Sequence, residues 1–358
     1  IEDFFKCFQI SCQGASCITT FADFLCSKIA PALRHAIYEK TALDIARDVK
    51  DKIPDFGGNR STLENYMLKF LAEEENFENF KHYLNAPGDF LNNYIKTKVE
   101  KYCLNKNKSL EMFLRDSLSR YYENIQSAVF ASTTIVKDRK DKISLWLDEF
   151  CRALGDVLSL PRSDLKGIEH QEITDIEFLN NAMTEALSPV MYDLRKEFEE
   201  ARMSSFERQP HTIVAEQFAG CQEQCPFCGA VCTNTMPNHD GHHRVVFHRP
   251  QAFRGLKWHE TDNLVIDICS SDVSSDCKFR IGEDTWIPYK KYRDAGPPYS
   301  TWSILPDPSM QAYWKWFVSS FRTQLEQCYN GKFRGKGEIP ASWQRVTKQN
   351  ALAELEKC

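Results

Sequence analysis

A short polar stretch, residues 221–250, concentrates side chains that bind soft metal ions. It holds four of the chain's 14 cysteines and four of its nine histidines. Cys225 and Cys228 have two residues between them, and Gly229 follows, where a glycine lets the backbone make a tight turn. Two cysteines at this spacing are typical of one half of a structural metal site. The pattern therefore predicts a metal site whose other ligands lie nearby.

The second half of the site is open to several choices. A structural Zn²⁺ takes four nitrogen or sulfur ligands, so two more are needed. His243 and His248 have four residues between them, a spacing common in sites of two cysteines and two histidines. His239 with His243 is the alternative pair, and Cys232 could replace any histidine. We predict one Zn²⁺ ion per chain, with these four ligands: Cys225, Cys228, His243 and His248.

The same stretch does not match the motifs of catalytic zinc proteins. A deaminase needs His-x-Glu ahead of its cysteine pair, but His259 and Glu260 are adjacent and follow the pair. A His-Glu-x-x-His protease motif fails because Asn263 stands in place of the second histidine. A two-zinc ubiquitin-ligase finger needs a second pair of cysteines with two residues between them, whereas seven residues separate Cys269 from Cys277. The ligase hypothesis therefore carries little weight.

Nucleotide hydrolysis is not predicted for this chain. The nearest approach to a phosphate-binding loop, residues 331–337, has the wrong glycine spacing and ends in Gly337 where a magnesium-binding hydroxyl is required. No nucleophile, base and orienting group can be recognised in the first two hundred residues. We expect no catalytic residues here.

The elements around the site are predicted to be mainly helical. Apolar residues recur at helical spacing within residues 63–71, 110–129, 143–158 and 179–198. After Pro210 the pattern changes to short β-type runs at 244–247 and 264–268. We predict two domains, a helical bundle or stalk over residues 1–210 and a small α+β zinc-binding domain with C-terminal helices over 211–358.

A broad aromatic stripe marks a helix late in the chain. Tyr313, Trp316, Phe317 and Phe321 repeat at helical spacing, and so large an apolar face must be covered. We expect the last hundred residues to dock onto the helical first part of the chain and not to swing freely, with residues 208–220 forming a packed connector.

Composition limits the possible partners and compartments. The net charge of -5 disfavours nucleic acid as a partner, and no apolar run is long enough to span a membrane. The first residues include neither an initiator methionine nor a signal peptide, which predicts a fragment of a longer protein. So many cysteines in a large chain without a secretory signal indicate a reducing compartment.

Long phrases of the sequence resemble the C-terminal region of the interferon-induced very large GTPases. They include FFKCFQISCQGASCITTFADFLC, NYMLKFLAEEENFENF, EQCPFCGAVCTNTMPNHDG and IPYKKYRDAGPPYSTWSI, and the similarity covers nearly the whole chain. The resemblance implies a protein of interferon-induced cell defence, located in the cytosol with the nucleus as an alternative, whose GTP and Mg²⁺ bind in an upstream domain. It also disfavours His242 as a ligand, because the family pattern has a non-ligand such as aspartate at that position.

The residues and the resemblance together predict a structural or assembly region that holds one structural zinc ion and engages protein partners or copies of itself. The alternative is a zinc-dependent module that recruits a protein partner through exposed aromatic residues, namely Trp258, Trp286, Tyr289, Tyr292 and Trp302. An RNA-binding finger is a weaker alternative that would use these basic residues: Arg244, Arg249, Arg254 and Lys257.

Overall fold

The computed structural model describes residues 14–104, 110–137, 142–155, 157–165, 175–282, 285–307 and 311–357. Within these ranges the chain is mostly helical, as the sequence predicts, with a two-stranded antiparallel sheet. In the described ranges the first eight helices are α1 (Gly14–Lys52), α2 (Arg60–Glu74), α3 (Phe77–Asn85), α4 (Pro87–Cys103), α5 (Leu110–Val136), α6 (Lys142–Leu154), α7 (Ile176–Glu199) and α8 (Pro210–Phe218). The remaining elements are α9 (Cys269–Asp272), β1 (Lys278–Ile281), β2 (Thr285–Pro288), α10 (Ala312–Ser320), α11 (Arg322–Cys328) and α12 (Lys348–Leu355).

Short 3₁₀ helices occupy several of the connections. They are Pro54–Phe56, Arg162–Leu165, Met203–Ser205, Gln251–Arg254, Tyr289–Ala295, Tyr299–Thr301, Gly335–Gly337 and Trp343–Arg345. Among the described helices, none combines the length and the apolar character that crossing a bilayer requires.

Contacts between residues divide the chain into two compact units. One comprises Ile1–Asp48 with Lys98–Ile213, and the other comprises Val49–Thr97 with Val214–Cys358. The predicted division after residue 210 lies close to one of these boundaries. Residues 49–97 differ from that prediction, because they belong with the C-terminal residues against which their aromatic side chains pack.

The first unit is helical and its core is apolar. Helix α5 packs against α6 and α7. Trp146 is fully buried on α6, where it stacks on Phe150 with ring centroids 5.0 Å apart and meets the edge of Phe21 from α1. A buried hydrogen bond of 2.9 Å joins Thr41 of α1 to Ser117 of α5. Helices α5, α6 and α7 thus bury most of the apolar residues whose spacing predicted them, although Val157, beyond the end of α6, is 41% exposed.

The second unit covers the aromatic stripe with helix α3. The ring of Phe80 lies 4.3 Å from that of Phe317 and 5.2 Å from that of Phe321, between centroids. The hydroxyl of Tyr313 donates to the backbone oxygen of Leu68 on α2 at 2.7 Å. Helical segments thus cover this face, as predicted, although the stripe bends at Phe321, where α10 ends and α11 begins.

A carboxylate from a distant helix caps α10. Glu354 on α12 accepts hydrogen bonds from the backbone amides of Gln311, Ala312 and Tyr313 at 2.7, 3.0 and 2.9 Å. The first amides of a helix lack partners within it and carry a partial positive charge, so a carboxylate is the preferred cap. This contact fixes α12 against the start of α10.

The two β-type runs predicted from sequence do not form regular strands. Residues 244–247 form no strand, and residues 264–268 make only isolated bridges, Leu264 with Lys257 and Ile268 with Pro250. The regular strands are β1 and β2, whose register pairs Lys278 with Pro288 and Ile281 with Thr285. Short apolar runs without a neighbouring strand gain too few backbone hydrogen bonds to remain regular.

Candidate metal centre

Cysteine and histidine side chains between residues 221 and 269 form two clusters. We call the first the buried cluster, which consists of Cys225, Cys228, His248 and Cys269. We call the second the loop cluster, which consists of Cys221, Cys232, His239 and His243. Within each cluster all four possible ligand atoms lie within 4.8 Å of one another, so that each could hold a metal ion.

A tight turn aims the first two thiols of the buried cluster. The amide of Cys225 donates to the oxygen of Ala230 at 2.8 Å, and the amide of Gly229 donates back to the oxygen of Cys225 at 2.9 Å. Gly229 has a φ of 72°, in the left-handed region that favours glycine, and this allows the chain to reverse directly after Cys228. Both sulfurs therefore face the same side of the turn.

Two later residues close the buried cluster. The Nδ1 atom of His248 lies 3.4 Å from the sulfur of Cys228 and 3.0 Å from the sulfur of Cys269. The sulfurs of Cys225 and Cys269 are 3.9 Å apart. Cys269 is the first residue of α9 and all four side chains are buried. The arrangement is a three-thiol, one-imidazole set shielded from solvent.

Burial, hydrogen bonds and a neighbouring charge give the three thiols of the buried cluster different pKa values. Burial raises the pKa of Cys225 and of Cys269 well above the ordinary value of a thiol. Burial also opposes ionisation of Cys228, but hydrogen bonds from the other two thiols, together with the charge of His248, outweigh it and hold the pKa of Cys228 well below the usual range. The cluster thus stabilises negative charge on the sulfur of Cys228, and the thiolate is the form in which cysteine binds metals.

The loop cluster has two thiols and two imidazoles in close contact. The Nδ1 atom of His243 lies 3.3 Å from the sulfur of Cys221 and 3.1 Å from Nε2 of His239. The sulfur of Cys232 lies 3.5 Å from that same Nε2 atom. Burial, followed by the charge of His239, lowers the pKa of His243. A neutral imidazole is the form that binds a metal ion.

Backbone hydrogen bonds hold these four residues in place. The amide of Cys221 donates to Asn234 at 3.0 Å, and the amide of Cys232 donates to Glu223 at 2.8 Å, so both cysteines lie on paired backbone. His243 is fixed on both sides, because its amide donates to Thr301 and its oxygen accepts from Ser303, each at 2.9 Å. His239 lies in the exposed loop between these anchored segments.

Three arginines donate hydrogen bonds to backbone oxygens of the segment that carries the cysteines. Arg249, which is 2% exposed, donates to the oxygen of Gly229 at 2.7 Å. Arg254 donates to the oxygens of Cys225 and Pro226 at 3.0 and 3.1 Å. The third, Arg60 of α2, donates to the oxygen of Cys221 at 2.8 Å. Arg249 and Arg254, considered for RNA binding from sequence, are therefore engaged with this backbone.

An aromatic core packs beside the buried cluster. Phe227, between the first two cysteines, has its ring centroid 4.9 Å from that of Phe279, 5.0 Å from that of Tyr289 and 5.2 Å from that of Tyr299. Trp302 is fully buried. Most of the aromatic residues considered as a partner surface thus fill this core, whereas Trp286 on β2 is 45% exposed.

The predicted ligands are distributed over both clusters. Cys225, Cys228 and His248 come together, while His243 lies with the predicted alternates Cys232 and His239. The predicted four-residue set is therefore not assembled as one group, since backbone bonds to residues 301 and 303 hold His243 in the loop cluster.

Sequence reasoning assigned no ligand role to Cys221 or Cys269. One signal was present for the first, because Cys221 precedes Cys225 by the same interval at which Cys232 follows Cys228. For Cys269 the spacing offered no comparable signal. His242 is exposed beside the guanidinium of Arg293 and belongs to neither cluster.

Comparisons with known proteins agree with the sequence resemblance. Residues 221–355 match the family model described as Interferon-induced very large GTPase 1, C-terminal domain. Over 99% of its length the chain is 46% identical to the human protein named Interferon-induced very large GTPase 1 and 44% identical to the mouse protein of that name. The chain spans 15% of the length of each of these relatives. No solved structure matches the chain.

Proposed function

Since this chain belongs to the interferon-induced very large GTPase family, we propose that it is a structural and assembly region of such a GTPase, folded around a Zn²⁺ ion in the buried cluster. On this proposal it does not hydrolyse nucleotide. On this proposal, GTP and Mg²⁺ bind in an upstream domain outside this chain, which spans 15% of the length of its relatives.

The composition of the buried cluster carries the proposal. Three thiols and one imidazole are a donor set typical of structural zinc, which is held by four protein ligands and keeps no position open for a substrate. All four side chains are buried, and His248 is 5% exposed. Without a cation, three sulfurs would be crowded together in an apolar core with few partners for charge.

The surrounding architecture makes such an ion useful. Residues 219–268 lie between α8 and α9 and contain isolated bridges and one 3₁₀ helix. Irregular backbone of this kind contributes little cooperative stability, whereas a structural zinc ion can supply about 10–16 kcal/mol of binding free energy to folding. The ion would join the cysteine turn to His248 and to the start of α9.

The glycine-rich loop at residues 331–337 has a packing role. A Cβ atom added at Gly331 would lie 2.7 Å from the side chain of Leu264, and one added at Gly337 would lie 2.0 Å from the Leu264 oxygen. These glycines allow close backbone approach, which explains them without a phosphate ligand. This supports the expectation that the chain itself does not turn over GTP.

The cellular setting is part of the proposal. By its relatives' names, the chain belongs to an interferon-induced system, and we place it in innate defence in the cytosol, with the nucleus as an alternative. Its partners on this proposal are proteins or further copies of the same chain, and not nucleic acid.

Metal analysis of the full chain tests the structural role. In the double variant Cys225→Ser, Cys228→Ser, we expect the metal content to fall by at least one ion and amide protection to be lost across residues 219–307. Cys277→Ser is the matched control, because Cys277 is exposed and lies outside both clusters. Unchanged zinc content in the double variant, or hydrolysis of GTP by the wild-type chain, would refute the proposal.

A second candidate function is a protein-interaction module centred on Trp286. This side chain is 45% exposed on β2, and its ring lies 5.7 Å from that of His259, which Arg280 contacts at 2.9 Å. Tryptophan and arginine are enriched where proteins bind one another. Chemical cross-linking of wild-type and Trp286→Ala chains distinguishes the candidates, because only the module hypothesis predicts that the substitution removes a cross-linked partner or dimer.

A further inference from the structure

We propose that the loop cluster is a second metal site, which binds a zinc-class divalent ion and exchanges it faster than the buried cluster does. The two sites share no ligand residue. This inference goes beyond the proposed function, which requires only the buried cluster, and either site could fail experimentally while the other holds.

Thiol and imidazole donors converge in the loop cluster. Nδ1 of His243 and Nε2 of His239 are 3.1 Å apart, and each also lies within 3.5 Å of a cysteine sulfur. The rings meet edge to face, with centroids 4.9 Å apart. Two thiols and two imidazoles in this arrangement are a ligand set that structural zinc commonly uses.

The tautomer of His239 suits metal binding. Its Nδ1 atom lies 3.2 Å from the backbone oxygen of Asp240, and a carbonyl oxygen can only accept a hydrogen bond. Nδ1 therefore carries the proton, and the lone pair of Nε2 faces the cluster. Metal-binding histidines commonly donate their outer nitrogen to a carbonyl or carboxylate in this way, which fixes the ring for ligation.

The loop cluster is organised before an ion binds. Cys221, Cys232 and His243 are each held by backbone hydrogen bonds of 2.8–3.0 Å. Arg60 adds a further bond, from its guanidinium to the oxygen of Cys221. His239 alone lies within the exposed loop, so binding an ion would require ordering of one ligand and not of four.

Exposure predicts the difference in exchange rate. The cysteines of the loop cluster are buried, but both histidines are partly exposed, and Met236 at the tip of their loop is 63% exposed. A competing chelator can approach the ion from the histidine side. In the buried cluster every ligand is enclosed, so release there requires a larger opening of the structure.

The sequence order links the two sites. Cys225 and Cys228 lie between Cys221 and Cys232, so the turn that forms the buried cluster also brings together the cysteines of the loop cluster. Occupation of the buried cluster should therefore favour binding at the loop cluster, whereas loss of the loop ion should leave the buried cluster intact.

Metal counting on the full-length chain tests the inference. We expect two zinc ions per wild-type chain by elemental analysis, one in His239→Ala and two in His242→Ala, the matched control from the same exposed loop. His239→Cys restores a ligand and should return the count to two. Equal zinc counts in wild type and His239→Ala would overturn the second site. In that case, if the bound ion is lost only in the double variant Cys225→Ser, Cys228→Ser, the proposed function still stands.

Chelator kinetics on the unaltered chain provide a measurement that needs no substitution. A colorimetric chelator added to wild type should take up one ion in a fast phase and the second at least tenfold more slowly. Fast-phase release should leave circular dichroism unchanged. Release of all the metal in a single phase would contradict the inference. A fall in the helical circular dichroism signal when the first ion leaves would contradict it as well.

Discussion

The buried cluster and the loop cluster draw their ligands from the same short region, residues 221–269, yet they differ in chemistry and in support. The buried cluster has three thiols and one imidazole, all of them buried. The loop cluster has two of each, with both imidazoles partly exposed. Similar side chains at similar spacing therefore produce sites with different access to solvent.

The difference follows from the exposure of the histidines. Phe227, Tyr289 and Tyr292 share one hydrophobic core with cysteines of both clusters, and Arg249 donates a hydrogen bond to the Gly229 oxygen in the turn of the buried cluster. The loop cluster is supported by backbone bonds to residues 234, 301 and 303 and is open on the side of His239. Ligand identity determines whether a site can bind a metal, and packing determines how firmly it holds one.

Removing both metal ions should produce the largest effect. Exhaustive chelation of the full chain removes about 10 kcal/mol or more of stabilisation from the buried cluster. We expect hydrogen exchange to accelerate across residues 219–307 and also in α2 and α3, because Arg60, Leu68 and Phe80 contact the C-terminal residues. Helices α5 and α7, which lie in the other unit, should keep their protection. Equal loss in both units would show that the division is wrong.

Substitution of Arg249 should have the next largest effect. Arg249→Ala removes the charged group that donates to the Gly229 oxygen. This should lower the free energy of unfolding by about 2–3 kcal/mol. Its guanidinium also lies over the ring of Tyr83, 5.4 Å from the centroid. Denaturant titration against Arg244→Ala, an exposed control, measures the difference. If the two variants are equally stable, Arg249 does not brace the metal-binding turn.

Loss of the Glu354 cap should destabilise the chain without altering its metal content. Glu354→Gln keeps the size of the side chain but removes the charge that caps α10, which should cost about 1–2 kcal/mol. Urea denaturation and zinc analysis of the same sample check both parts. A fall in zinc content would mean that α10 and the clusters are coupled more tightly than this account allows.

The smallest effect is expected at Trp286. Because the side chain is 45% exposed, Trp286→Ala should change the free energy of unfolding by less than about 0.5 kcal/mol. Trp302→Ala is the buried counterpart and should cost about 3–5 kcal/mol. Thermal denaturation measures the stability of both variants. Similar losses of stability would mean that Trp286 lies in the folded core.

Local sequence patterns predicted the helices better than they predicted the metal clusters. The spacing of Leu63, Met67 and Leu71 indicated α2 because helical periodicity is set by neighbouring residues. The grouping of His243 depends on hydrogen bonds to residues 301 and 303, and Cys269 lies 44 positions from Cys225. Such distant pairings leave no periodic signal.

The two β-type runs show the same limit. Residues 264–268 have the apolar composition of a strand, but hydrogen bonds to separate segments, at residues 252, 256 and 332, engage this stretch in place of one neighbouring strand. Strand identity depends on a partner that sequence composition does not specify. The membership of residues 49–97 in the C-terminal unit was missed for a similar reason, since Phe80 meets Phe317 across more than two hundred residues.

The central claim is that three thiols and one imidazole hold the structural ion. X-ray absorption at the zinc edge tests it most directly. The sample is the full chain after brief chelation has removed the rapidly exchanging ion. The account predicts that the remaining zinc has three sulfur ligands at about 2.3 Å and one nitrogen ligand at about 2.0 Å. Two sulfur and two nitrogen ligands, the set expected if Cys225 and Cys228 were completed by His243 and His248, would contradict it.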